Sequence, residues 1–102
     1  MPTGIDVNRC DAASSMNNVA LKDEALVKLA EDASNSRNRE IAKKSIDGIQ
    51  NVALHDEAAY NSALLLAKSG TTKVAVAIAQ SINNVAKRDE ALAKIAKGDS
   101  SN

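Results

Sequence analysis

One phrase occurs three times in this chain: NVALKDEAL from Asn18, NVALHDEAA from Asn51 and NVAKRDEAL from Asn84, with starts 33 residues apart. A fixed period of roughly 20 to 50 residues marks supersecondary units that cannot bury their apolar faces alone and so stack on one another. The recurring residues are apolar and helix-capping ones, the kind a fold requires. No set of chemical reagents recurs with them.

Each unit reads as two helices. In the middle unit, Ile41, Ala42, Ser45, Ile46, Ile49 and Val52 recur at three- and four-residue steps, the spacing of one helix face, with Ser36 as the expected N-cap. Asp56 is expected to cap a second helix over 57–69, which Gly70 ends in the left-handed conformation. Thr71 or Thr72 restarts the pattern with Val74, Ala75, Ile78, Ala79, Ile82 and Val85; Asp89 then caps a last helix that Gly98 closes. The first unit repeats this with a helix from about Asp6 to Asn18, using Ala12, Ala13, Met16 and Val19, then Asp23 capping a helix over 24–33. The expected fold is all-α: an α-α superhelix, or solenoid, of three antiparallel helical hairpins. Its units span about 5–35, 36–70 and 71–102 of a single domain.

Composition dictates how such units pack. The chain has 19 Ala, no Phe, no Trp and one Tyr, so close approach of small-faced helices must replace large rings. Stepping by 33 aligns Ala25, Ala58 and Ala91; Ala30, Ala63 and Ala96; and Met16, Ile49 and Ile82, and these columns are expected inside. Asn8 and Arg9 stand where the second unit has Ile41 and Ala42, giving the first helix a polar outer face, as a terminal repeat requires. The third unit carries Val74, Val76, Ala77, Leu92 and Ile95 with no further helix expected after Lys97. Weak self-association through this C-terminal hairpin, or a partner seated on it, is expected.

A 33-residue helix-turn-helix unit whose second helix opens on DEAL and carries a small residue at a fixed place resembles the tetratricopeptide family and its degenerate bacterial relatives. Ala25, Ala58 and Ala91 match the family's small residue in the second helix, and Ala13 and Ala79 match the one in the first. Met16, Ile49 and Ile82 stand where the family usually has an aromatic ring, and the closing proline is missing from every unit. The resemblance implies a protein-binding solenoid, without the aromatic-walled peptide groove.

Other classes find little support. Lys and Arg number 13 against 13 Asp and Glu, so no global field concentrates nucleic acid or an anionic membrane. Cys10 is the only cysteine and can form no internal disulfide, which suits the cytoplasm. No signal peptide and no membrane span is expected. His55 lies in a column with Lys22 and Arg88 and reads as an exposed cation-preferring position. The Asp-Glu pairs read as caps, since adjacent helix residues do not face each other. No catalytic residue, metal ligand or cofactor is expected.

Another protein is the expected partner, and the function expected is that of a non-catalytic adaptor, regulator or effector-like module. Its candidate contacts are Asn18, Asn51 and Asn84, Val76 on the C-terminal hairpin, and the cluster Arg37, Arg39, Lys43 and Lys44. That cluster also supplies the alternative, an acidic partner or nucleic acid.

Overall fold

The structure, a computed structural model, describes residues 7–98. Those residues form six helices: α1 (Val7–Ser14), α2 (Val19–Asn35), α3 (Arg39–Gly48), α4 (Val52–Lys68), α5 (Thr72–Gln80) and α6 (Val85–Lys97). The Asp6 at which the first helix was expected to begin, and the residues after Gly98, lie outside the described residues.

The second helix of each unit begins four residues before the expected Asp. Asn18, Asn51 and Asn84 are the N-caps, with extended backbone and side-chain Oδ1 accepting from the amides of Leu21, Leu54 and Lys87 at 3.0, 3.0 and 2.9 Å. Asparagine caps as well as aspartate does, and here it satisfies the free amides first, which leaves Asp23, Asp56 and Asp89 inside their helices. The same shift takes Val19, Val52 and Val85 off the ends of the first helices and puts them in the opening turn of the second. Asn38 caps α3 in place of Ser36, which instead ends α2.

The turn after α4 is a Schellman motif: the amide of Thr71 donates to Leu66 O at 2.9 Å and that of Gly70 to Ala67 O at 3.1 Å, with Gly70 at φ 96°. The turn after α2 repeats both bonds, Asn38 to Ala33 and Arg37 to Ser34, yet places Arg37 at φ 61° where the next unit has glycine. A side chain in this conformation costs about 1 kcal/mol. Arg37→Gly should therefore raise the unfolding free energy by about 0.5–1 kcal/mol in chemical denaturation. A loss of stability would mean that the Arg37 side chain supplies more than the backbone loses.

Packing departs from the expected hairpins. The most extensive junctions join α2 to α3 and α4 to α5, across the unit boundaries; α2 also packs on α4, and α4 on α6. The pairs α1–α2, α3–α4 and α5–α6, expected to be the hairpins, touch less. Tight turns after α2 and α4 lay each next helix along its predecessor, whereas the extended residues before α4 and α6 carry the chain away. The molecule is 18 Å through its thinnest dimension, two helix layers at the usual spacing of about 8–10 Å.

Leu26, Leu29, Ile46, Leu66, Ile78 and Ile82 are the large side chains at the centre of the core, and Ala30, Ala33, Ala42, Ala59, Ala63, Ala75, Ala79 and Ala91 fill the gaps with no exposed surface. Two of the expected interior columns fail at one end each: Met16 is 38% exposed while Ile49 and Ile82 are buried, and Ala96 is exposed while Ala30 and Ala63 are buried. Ala25 and Ala12 are also less covered than expected. Each unit repeats the same residues, but among the described residues the first and last units have a neighbouring unit on one side only. Arg9, on the polar face of α1, reaches Asp32 of α2 at 3.0 Å.

Candidate functional site

Asp23 and Asp56 are not caps but clamps between units. Asp23 is 2% exposed, and its two oxygens accept from the backbone amides of Gln50 and Asn51 at 2.9 and 3.0 Å. Asp56 is 5% exposed and does the same to Asn83 and Asn84, both at 2.9 Å, with the Asn83 side-chain amide adding a third bond at 3.2 Å. Each carboxylate thus meets the paired amides just ahead of the next unit's second helix, where the positive end of the helix dipole also favours an anion.

Burial pushes the Asp56 carboxyl up, but the Asn83 amide, His55, the Asn84 amide and the Asn83 side chain together outweigh it and hold it below its ordinary value of 3.8. His55, expected in an exposed loop, lies within α4 with its side chain 13% exposed and Nδ1 3.0 Å from Asp56 Oδ1. Its burial follows from Asp56 being drawn into the junction.

The exposed apolar surface lies elsewhere. Val19, Val52 and Val85 are 47%, 58% and 58% exposed, and the alanine after each is exposed as well. Together with Asn18, Asn51 and Asn84, which are exposed apart from their capping oxygens, they form three identical Asn-Val-Ala triplets at the starts of α2, α4 and α6. The three asparagines expected as partner contacts are therefore helix caps, and their side-chain NH2 groups make no hydrogen bond among the described residues. The valines beside them were missed because apolar residues at helical spacing were assigned to the core. Their signal was the triplication itself at a β-branched residue that helix formation does not favour.

A cleft of about 420 Å³ separates α2 from α4, floored by Val27, Ala58, Leu64 and Leu65 and rimmed by Glu31, Glu57 and Lys68. Leu64 and Leu65 are half-buried there. Tyr60 spans from α4 to α6 on the surface, its hydroxyl donating to Glu90 at 2.8 Å while Lys87 and Lys94 lie 5.4 and 5.7 Å from the ring centre. The Tyr60 hydroxyl, with Lys94 and Lys87 adding to it, holds the Glu90 carboxyl below its ordinary value.

Arg37, Arg39, Lys43 and Lys44 are all exposed, on α3 and the turn before it. Glu40 and Asp47 stand among them, and Lys43 is paired with Asp47 at 3.0 Å. The cluster is a mixed-charge face, and it lacks an aromatic residue on which bases could stack. Val76 is half-buried on α5 and belongs to neither the triplets nor the cleft. Cys10 is buried at 2% exposure, which leaves its thiol out of reach of solvent reagents.

Among the described residues no three His, Cys, Asp or Glu side chains are grouped to hold a metal ion, and no helix is long and apolar enough to cross a membrane. No protein-family model, curated protein or solved structure matches this chain.

Proposed function

We propose that this chain is a tetratricopeptide-like helical-repeat module, a short solenoid of 33-residue units, that binds another protein without catalysing a reaction. Support for the solenoid comes from one junction used twice: α2 on α3 with Asp23 clamping the amides of Gln50 and Asn51, then α4 on α5 with Asp56 clamping those of Asn83 and Asn84. A junction that repeats with the sequence period is what stacked repeats require. The single unpaired cysteine suits a cytoplasmic setting.

The observation that carries the binding function is the exposed Asn-Val-Ala triplet. Asparagine has an internal task as a cap, but valine at the first helical position buries little and is a poor helix former. Three copies of a half-exposed valine at equivalent points of alternate helices make an apolar ladder with spare amide donors beside it. Such a surface fits an extended or helical segment of a partner protein, with apolar anchors on the valines and backbone carbonyls on the asparagine NH2 groups.

The triple variant V19S/V52S/V85S tests this, since exposed substitutions should each change stability by no more than about 0.5 kcal/mol. Affinity capture from the native cell, at about 150 mM salt where screening acts within about 8 Å, should return a protein that the triple variant retains at least about tenfold less well. Equal retention by parent and variant would remove the ladder from the interface. Binding to generic DNA that weakens steeply with salt would replace the reading with the nucleic-acid one through Arg37, Arg39, Lys43 and Lys44.

A further inference from the structure

We infer that Asp89 is the acceptor of an intermolecular clamp, and that its partner is the Asn17–Asn18 turn of a second copy of this chain, giving head-to-tail association. The inference rests on the repeat-module reading above and names one of its partners.

The internal junction is seen twice, so its two halves can be recognised where each stands alone. On the aspartate side of a unit, which accepts the clamp's hydrogen bonds, positions buried in the first two units are uncovered in the third. Asp23 and Asp56 are buried, but Asp89 is exposed; Ala30 and Ala63 have no exposed surface, but Ala96 is exposed. Leu26 and Leu29 are buried in α2, while their counterparts Leu92 and Ile95 are half-exposed in α6. On the amide side the pattern reverses. Ile41 and Ser45 in α3 and Ile49 just after it are buried, whereas Asn8 and Ala12 in α1 and Met16 after it, at the same places, are exposed.

Hydrogen bonding follows the same rule. Asp23 holds the amides of Gln50 and Asn51, and Asp56 holds those of Asn83 and Asn84. Among the described residues the Asp89 carboxylate accepts no hydrogen bond and forms no ion pair, and the backbone amides of Asn17 and Asn18 donate none. Asn17–Asn18 also matches Asn83–Asn84 in both side chains, so the third bond that Asn83 Nδ2 gives Asp56 is available to Asn17. Acceptor and donors are thus the two unmatched halves of a contact whose geometry this protein already uses internally.

A second copy placed by the internal junction lays its α1 along α6, as α3 lies along α2 and α5 along α4. Asp89 then meets the amides ahead of the second copy's α2. Asn8 and Arg9 replace an isoleucine and an alanine at this contact, so it is less apolar than the internal junctions and association is correspondingly weaker. The contact is heterologous, joining different faces of two identical chains, and it repeats from copy to copy instead of closing in a symmetric dimer.

Sedimentation equilibrium on the whole chain up to about 1 mM, the weak end of measurable association, tests the inference. Asp89→Lys blocks only the aspartate face and Met16→Glu only the amide face; both residues are exposed, and circular dichroism should find both variants folded. The parent should show a mass that rises with concentration beyond the dimer. Each variant alone should associate at least about tenfold more weakly, Asp89→Lys through the loss of hydrogen bonds to a charged acceptor and Met16→Glu through an unpaired charge placed in the contact. An equimolar mixture of the two should recover a 1:1 dimer and nothing larger, because each contributes one intact face.

A parent that remains monomeric overturns the inference and leaves α6 to another occupant. So does a Met16→Glu variant that associates like the parent, which would indicate a symmetric contact through α6 alone, and so does a mixture that stays monomeric. The V19S/V52S/V85S variant should associate like the parent, so failure of the valine ladder and failure of the clamp are read separately.

Discussion

Asp56→Ala should lower the unfolding free energy by about 3 kcal/mol, whereas Asp89→Ala, at the same position of the next unit, should change it by less than about 0.5 kcal/mol. As a simple helix cap Asp56 would be worth about 1 kcal/mol. As a clamp it accepts three hydrogen bonds from Asn83 and Asn84 while 5% exposed. Bonds to an ionised acceptor contribute roughly 1.5–3 kcal/mol each, and removing the acceptor leaves the amides short of a partner. Water can reach the exposed Asn83 and Asn84 in the variant, which keeps the loss well below the sum. A domain of this size has about 5–15 kcal/mol in total, so the variant should melt at least about 10 °C lower.

The same bonds give the parent an acid dependence with a definite sign. Because the folded carboxyl of Asp56 titrates below its ordinary 3.8, its contribution is complete above that value and is lost as pH falls through the folded value. Urea midpoints taken from pH 7 downward should therefore fall on the acid side of about pH 4 in the parent, and less so in Asp56→Ala. Matching losses in the Asp56 and Asp89 variants would show that the carboxylate acts only within its own helix.

Helix type and the left-handed ends at Gly70 and Gly98 were legible in the sequence because each rests on local signals: residue spacing and the freedom of glycine. The start of each second helix was not. Asn51 and Asp56 are equally good caps, so local preference could not choose between them. The choice is tertiary, made by amides 27 and 28 residues downstream that need the carboxylate more than its own helix does. Translating columns by one repeat also assumed equal surroundings for all units, which fails at Met16, Asp89 and Ala96. The valine triplets were read as core for a related reason: periodicity assigns residues to a face but does not say which turns of that face are covered.

Leu66→Ala should cost about 3 kcal/mol, within the range of roughly 2–5 kcal/mol for emptying a buried leucine site. Leu66 has no exposed surface and lies near the end of α4, where its carbonyl also receives the Thr71 amide at 2.9 Å, the Thr71 hydroxyl at 2.8 Å and the Ser69 hydroxyl at 2.9 Å. Side chain and carbonyl together tie α4 to the turn that sets α5 along it, so slack at this point loosens the larger of the packing contacts as well as the core. Relaxation into the void is limited because many of the other buried residues are alanines, which have no torsion with which to follow a retreating neighbour. Leu65→Ala, one residue away but half-exposed over the α2–α4 cleft, should cost under about 1.5 kcal/mol. Denaturant unfolding of the two variants should separate them by at least about 1 kcal/mol in that order. Equal losses would mean that Leu65 is as buried as Leu66, and that the cleft beside it is closed in solution.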